Sequence, residues 1–310
     1  MRAAVVAELG EPPDVGDVDA PRQGEGDVLV EVVAAPLNPI DLAVASGRNP
    51  AGNPPLPFVP GCEGVGTADG RLVWLYRGGL GIARNGCMAE RVAAPEAAIT
   101  PVPEGADPVL AGAMGIAGMA GWASLAWRVP VREDDVVLVL GATGTVGTVA
   151  VQAARLLGAR RVVAAGRNVE ALERLGADAT VRLDGGDLVQ SFRDACDGGP
   201  TLIFDPLWGE PLAAALEAAA PGARVVQLGQ SAGATATLAS AAVRFKGIEL
   251  YGFSNFNLPK DVLDREYARL VEHAMNGDIR VEVEQVPLDS VADAWERQAS
   301  SPHRKLVLIP

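Results

Sequence analysis

The chain has 310 residues, long for one core, and its 49% apolar against 21% charged residues argue against disorder and for two globular domains. A net charge of −13 repels nucleic acid and anionic membranes. There is no charged-then-apolar leader and no run of about 18 uninterrupted apolar residues; with three scattered cysteines and two histidines, a disulfide framework or closed zinc site is disfavoured and a cytoplasmic protein is expected.

From Met1 to about Thr100 the pattern is β-like. "MRAAVVAEL" and "DVLVEVVAA" are valine-rich strand candidates, and the five prolines of "GRNPAGNPPLPFVPG" make residues 47–61 a loop. Near Asp107 the composition shifts to "DPVLAGAMGIAGMAGWASLAWRV", an alanine-rich helix whose four glycines predict close packing or breaks. A regular alternation follows. "VVLVL", "RVVAA", "ATVRL", "TLIFD", "ARVVQLG" and "GIELYGF" read as strands, with helices between most of them. "NVEALERLG" begins on a capping Asn168, and "EPLAAALEAAAPG" has Pro211 in its first turn. Six such strands predict a parallel, doubly wound α/β sheet. The last 55 or so residues, with strands "VEVEQVPL" and "KLVLIP", are too few for a third domain and are expected to rejoin the first. The expected division is 1–107 with 254–310, and 108–253.

Residues 137–147, "VLVLGATGTVG", carry the chemistry. Gly141 permits the sharp exit from the strand, Gly144 lets a diphosphate approach the backbone, and Gly147 lets the next helix pack on the sheet. The amides of Thr143, Thr145 and Val146 belong to the same cradle, at the positive end of the helix dipole. No Gly-Lys-Ser/Thr follows, which excludes a nucleoside-triphosphate loop. The second strand ends in "VVAAGRN", where an acid would bind the ribose 2′-hydroxyl of NAD. Gly166 stands in that place, followed by Arg167 and Asn168, so a 2′-phosphate and hence NADPH is preferred.

Taken together, "LNPIDLAVASG", "VPGCEGVG", "GCMAERVAAP", "DPLWGEPLAAALEAAAPGARVVQLGQSAG" and "HRKLVLIP" resemble the medium-chain dehydrogenase/reductase superfamily, specifically its zinc-free quinone oxidoreductase-like branch. The resemblance covers nearly the whole chain. It implies a GroES-like β-barrel built from both chain ends, a Rossmann nucleotide-binding domain, an active-site cleft at their junction, and a homodimer or homotetramer. Asn38 matches a polar contact near the nicotinamide or substrate, although a turn asparagine before Pro39 is the competing reading. Asp41 is read as a helix cap. Gly229, Gln230 and Ser231 fall where the resemblance places the nicotinamide. Phe253, Ser254 and Asn255 leave the last strand into the same cleft, with a plain turn as the competing reading. Lys305 and Arg304 reach cofactor phosphates or are solvated ends of a strand. Two departures stand out. Ala43 replaces a tyrosine common among relatives, and Leu183 replaces another on the adenosine side.

The family's zinc-using members carry a His where this chain has Cys62. Two ligands, Cys62 and Glu63, do not make a tetrahedral site. Without zinc to polarise an alcohol, the expected reaction is hydride transfer from NADPH to a quinone or an α,β-unsaturated carbonyl. Alternatives are an enoyl-thioester reductase and a low-turnover NADPH-binding sensor. Short-chain dehydrogenases are excluded because none of Tyr76, Tyr251 and Tyr267 has a lysine four residues on.

Overall fold

In a computed structural model describing residues 1–310, the valine-rich runs of the first hundred residues become seven strands. These are β1 (Arg2–Val5), β2 (Asp14–Asp17), β3 (Asp27–Pro36), β4 (Glu63–Ala68), β5 (Arg71–Tyr76), β6 (Arg91–Pro95) and β7 (Ile99–Pro101). The ten-residue β3 is the hub, pairing antiparallel with both β4 and β6. β5 and β7 extend the sheet from β4.

The alternating region supplies β8 (Val136–Leu140), β9 (Arg161–Gly166), β10 (Ala179–Arg182), β11 (Leu202–Asp205), β12 (Arg224–Gln227) and β13 (Glu249–Gly252). All pair in parallel, in the order β10-β9-β8-β11-β12-β13. The order reverses between β8 and β11, the crevice where doubly wound sheets bind ligands at their carboxyl edge. β8, "VVLVL", is buried at every position, as a central parallel strand covered on both faces must be. Ala150, Ala153 and Ala154 are buried along the helix Thr145–Leu156, whose small side chains let it lie close to the sheet. Asn168 caps the helix Val169–Arg174 by accepting from the Ala171 N–H, at 3.0 Å.

The last strands, β14 (Val283–Pro287) and β15 (Lys305–Ile309), return to the first sheet, where β15 pairs antiparallel with β3. One compact unit therefore comprises Met1–Ala117, Lys260–Asn276 and Val281–Pro310, and the other Gly118–Pro259 with Gly277–Arg280. These bounds differ from those expected at 107/108 and 253/254. Residues 108–117 stay with the first unit because the Ala111 carbonyl accepts from the Tyr267 hydroxyl (3.0 Å) and the Ile116 N–H donates to Glu63 (2.7 Å). Residues 277–280 stay with the second because the Arg280 backbone forms two hydrogen bonds with the Gln152 amide, at 2.8 and 2.9 Å.

The glycine-rich run forms one kinked helix, Pro108–Arg128. It is apolar and long enough to cross a membrane by length and composition, even though its glycines and Ser124 interrupt the continuous apolar run expected of a spanning segment. Of its most apolar window, 72% is buried inside the protein, as in a core helix. Its glycines are close-packing positions. A Cβ on Gly112 would lie 2.9 Å from Pro36, and one on Gly121 would lie 2.6 Å from the Val146 carbonyl. At Gly115 (φ −61°, ψ −125°) the helix breaks; the next N–H, of Ile116, donates to the Glu63 carboxylate at 2.7 Å, and that carboxylate fills the space a Gly115 side chain would need.

Candidate functional site

The glycine turn separates into positions the fold needs and one that it does not. Gly141 has φ +63°, and a Cβ there would press on Leu207 at 3.0 Å. A Cβ on Gly147 would lie 2.3 Å from the Gly141 carbonyl oxygen. Both glycines are required to make the turn at all. Gly144 is exposed, has an ordinary φ of −83°, and its Cβ would meet nothing nearer than 3.8 Å. Nothing within the chain requires glycine at Gly144. It opens the twelve-residue helix Thr145–Leu156, and no side chain caps that end. The amides of the first turn, at Thr145 and Val146, thus head a helix whose dipole favours an anion. A diphosphate fits this cradle.

Thr143 connects the turn to the end of β9. A Cβ on Gly166 would come within 3.1 Å of Thr143 and 3.3 Å of Leu172, so a side chain there requires those two neighbours to shift slightly. Arg167 follows, exposed, whereas the Asn168 side-chain oxygen is already spent on its helix cap. On the other side of the crevice, Asp205 ends β11 and accepts from the Leu207 and Trp208 N–H groups, both at 2.9 Å. The following loop supports the end of β12: Gly229 packs on the Pro206 carbonyl, which also accepts from the Ser231 hydroxyl at 3.2 Å. Gln230 is exposed beside them. Phe253 leaves β13 with its N–H on the Gln227 carbonyl (2.9 Å), and the Ser254 side chain accepts from the Phe256 N–H (3.3 Å). The cofactor candidates from Gly141 to Ser254 therefore gather at the carboxyl edge of one sheet.

Two charged residues at this edge escaped the sequence reading. Asp205 is fully buried, its Oδ2 has no partner, and burial pushes its carboxyl up to about 6. A buried-strand pattern ending in Asp was the available signal. Arg182 ends β10 directly across from Gly166. Only strand pairing reveals that adjacency.

Lys305 does not belong with this group, and its assignment to cofactor phosphates is corrected. Its ammonium is buried in the first unit, donating to the Leu37 carbonyl (3.0 Å) and Asn38 Oδ1 (2.5 Å), with Glu63 Oε1 at 3.7 Å. It opens β15, where Lys305, Leu306, Val307 and Leu308 are all buried, while Arg304 just before the strand is exposed and paired with Glu284 at 3.4 Å. Asn38 is buried too. Its Nδ2 donates to Glu63 (2.7 Å) and the Pro36 carbonyl (3.2 Å), so the amide that was to contact substrate is committed to Glu63, Pro36 and the lysine. Glu63 Oε2 accepts from Trp74 Nε1 (2.9 Å) and the Ile116 N–H (2.7 Å). Trp74 is stacked between Tyr76 and Tyr267, at 5.0 and 4.4 Å. Burial pushes Glu63 up and Lys305 down, and their mutual attraction opposes both shifts. The helix Pro39–Ala45 begins two residues before Asp41, with Asn38 as its N-cap; Asp41 sits at the third helical position and its carboxylate accepts from the N–H groups of Asn38 and Cys62, each at 2.8 Å. Burial raises the Cys62 thiol, and no group of three or more His, Cys, Asp or Glu is placed to hold a metal ion.

Residues 24–104 match the Alcohol dehydrogenase GroES-like domain family and residues 145–273 the Zinc-binding dehydrogenase family. Among individual proteins, a phenolphthiocerol/phthiocerol polyketide synthase of Mycobacterium tuberculosis is 28% identical over 99% of this chain. This chain spans only 15% of that protein's length. The trans-enoyl reductase tndF of Aspergillus flavipes is 29% identical over 63% of each chain. The crystal structure of the quinone oxidoreductase from Thermus thermophilus, also solved in complex with NADPH, superposes with a TM-score of 0.84 at 28% identity and covers all of both chains. The second family's name implies zinc, but the donor set here does not fit it: Glu63 is saturated by protein donors and Cys62 has no third partner. From the two matched domains, the parallel glycine-turn sheet and the whole-chain similarity, the chain belongs to the medium-chain dehydrogenase/reductase superfamily, in its quinone oxidoreductase-like branch.

Proposed function

We infer that the chain is a zinc-independent reductase that uses NADPH to reduce a quinone or an α,β-unsaturated carbonyl. The observation that carries the inference is Gly144, a glycine that neither backbone strain nor crowding explains, at an uncapped helix start. Its bare backbone and the amides of Thr145 and Val146 would hold the diphosphate. Arg167 would pair with the 2′-phosphate, next to a Gly166 that carries no carboxylate to repel it. When bound, the coenzyme supplies a hydride to an electrophilic acceptor. Gly229, Gln230, Ser231, Phe253 and Ser254 would orient the nicotinamide end from the same edge, since alignment is the main service an already activated acceptor needs. An acceptor that is electrophilic by itself suits a protein whose residues do not assemble a Lewis-acid site.

The similarity to a trans-enoyl reductase favours one second reading, an α,β-unsaturated thioester as the acceptor. Calorimetry with NADPH and NADH, followed by NADPH consumption across quinones, enones and enoyl thioesters, tests both readings. Heat on binding NADPH and turnover of a quinone or simple enone supports the first reading; turnover of thioesters alone selects the second. Binding without consumption of any acceptor would overturn both in favour of a sensor. Arg167→Glu should lower the NADPH-to-NADH affinity ratio by about tenfold or more, because a favourable charged contact becomes repulsive. An unchanged ratio removes the basis for NADPH.

A further inference from the structure

The parallel pairing of β9 and β10 sets Arg182 directly opposite Gly166, and the Leu183 N–H continues the ladder by donating to the Gly166 carbonyl at 3.0 Å. Neighbouring strands lie about 4.8 Å apart, so the missing side chain of Gly166 is flanked by two arginines, Arg167 along the chain and Arg182 across the sheet. Arg182 is already engaged. Its Nε and Nη2 form a fork on Asp184, at 3.1 and 3.0 Å, and both side chains are about half exposed. This is the two-pronged geometry with which a guanidinium also grips phosphate. The Arg182 fork holds the Asp184 carboxyl below the usual carboxylate range, and the charge of Arg167 lowers it further. Asp184 therefore senses both cations. Gly185 and Gly186 follow it; the open side of Gly185 meets only the Arg182 Cβ, at 3.9 Å, and that of Gly186 meets nothing within 4 Å.

We propose that Arg182 is a second ligand for the 2′-phosphate of NADPH and that Asp184 is an internal anion occupying its guanidinium until the phosphate displaces it. The proposal rests on the NADPH reading above and adds a specificity device to it. A coenzyme without the 2′-phosphate has nothing to offer Arg182 in exchange for Asp184, so the carboxylate stays. A coenzyme that carries it replaces a single exposed ion pair with a more highly charged, doubly contacted one. Asp184 thereby sets the threshold of discrimination.

The test uses two coenzyme fragments, 2′,5′-ADP and 5′-AMP, which differ only in the 2′-phosphate and involve no turnover. Calorimetry at fixed ionic strength compares the wild type with Asp184→Asn, Arg182→Gln and the double variant, each checked by its melting temperature. Asp184→Asn should tighten 2′,5′-ADP about three- to tenfold while 5′-AMP changes by less than about twofold. Arg182→Gln should weaken 2′,5′-ADP about tenfold, and in that background removing Asp184 should yield no gain. Unchanged 2′,5′-ADP binding in both single variants overturns the proposal while leaving the NADPH reading intact, provided that the wild type still prefers 2′,5′-ADP. Weaker 5′-AMP binding by Asp184→Asn also overturns it, since Asp184 would then be a ribose acceptor. A wild type that does not distinguish the two fragments overturns the proposal and the NADPH reading together.

Discussion

The polar network around Glu63 and the carboxyl edge of the β8–β13 sheet are made from the same materials, main-chain amides and a few charged side chains. They dispose of them in opposite ways. In the network every strong group finds a protein partner: Glu63 receives Asn38, Trp74 and the Ile116 N–H, and Lys305 donates to Leu37 and Asn38. At the sheet edge the helix start at Gly144 is uncapped, Arg167 is exposed and Asp205 Oδ2 is left without a partner. Burial with full satisfaction makes a rigid structural element; unsatisfied groups beside a crevice make a binding surface. The difference teaches that a motif residue's chemistry is decided by whether its hydrogen-bonding capacity is already spent.

The largest expected effect breaks the closed side. Lys305→Met strands Glu63 as a buried acid without its cation and should cost about 3–5 kcal/mol in urea unfolding, with Glu63→Gln in the same chain recovering part of the loss. If instead stability held and NADPH affinity fell, the lysine would belong to the open side after all. Asp205 offers the intermediate effect. Its folded carboxyl sits at about 6 against an ordinary 3.8, so the folded state favours the protonated form. Its contribution is therefore most favourable below 3.8, is lost as pH rises from 3.8 to about 6, and is a constant cost above that. Asp205→Asn mimics the neutral acid, keeps an oxygen for Leu207 and Trp208, and should gain about 1–3 kcal/mol above that range while flattening the slope within it. Thermal melts across pH would show an unchanged slope if another group were responsible. The smallest effect on folding, and the sharpest on the comparison, comes from Gly144→Ser. Serine is a better helix cap than glycine by a few tenths of a kcal/mol, so the melting temperature should hold or rise slightly. NADPH affinity should nevertheless drop about tenfold, because the hydroxyl takes the amide that a phosphate would use. Equal affinity would mean that the helix start is not where the diphosphate sits.

Much of the architecture was legible from local pattern. "VVLVL" and the strands after it appear within a residue or two of where their valines placed them, and Asn168 caps the helix it preceded. The glycine turn was equally legible, although the geometry shows that Gly141 and Gly147 serve the fold and only Gly144 is left for a ligand. Lys305 was misread because a strand's burial shows only when the partner strands are known, and β15 lies beside β3 from the opposite end of the chain. Arg182 was overlooked for the same reason.

By itself, the amino-acid order determined which segments are strands, which are helices, and where the backbone must bend through glycine, because propensity, capping and periodicity act over a few residues. Tertiary structure alone decided that Arg182 faces Gly166, that Asn38, Glu63 and Lys305 exhaust one another, and that Asp205 is buried with an oxygen to spare. These depend on which distant strands become neighbours, and pairing across tens to hundreds of residues is set by how whole faces bury together rather than by any local signal.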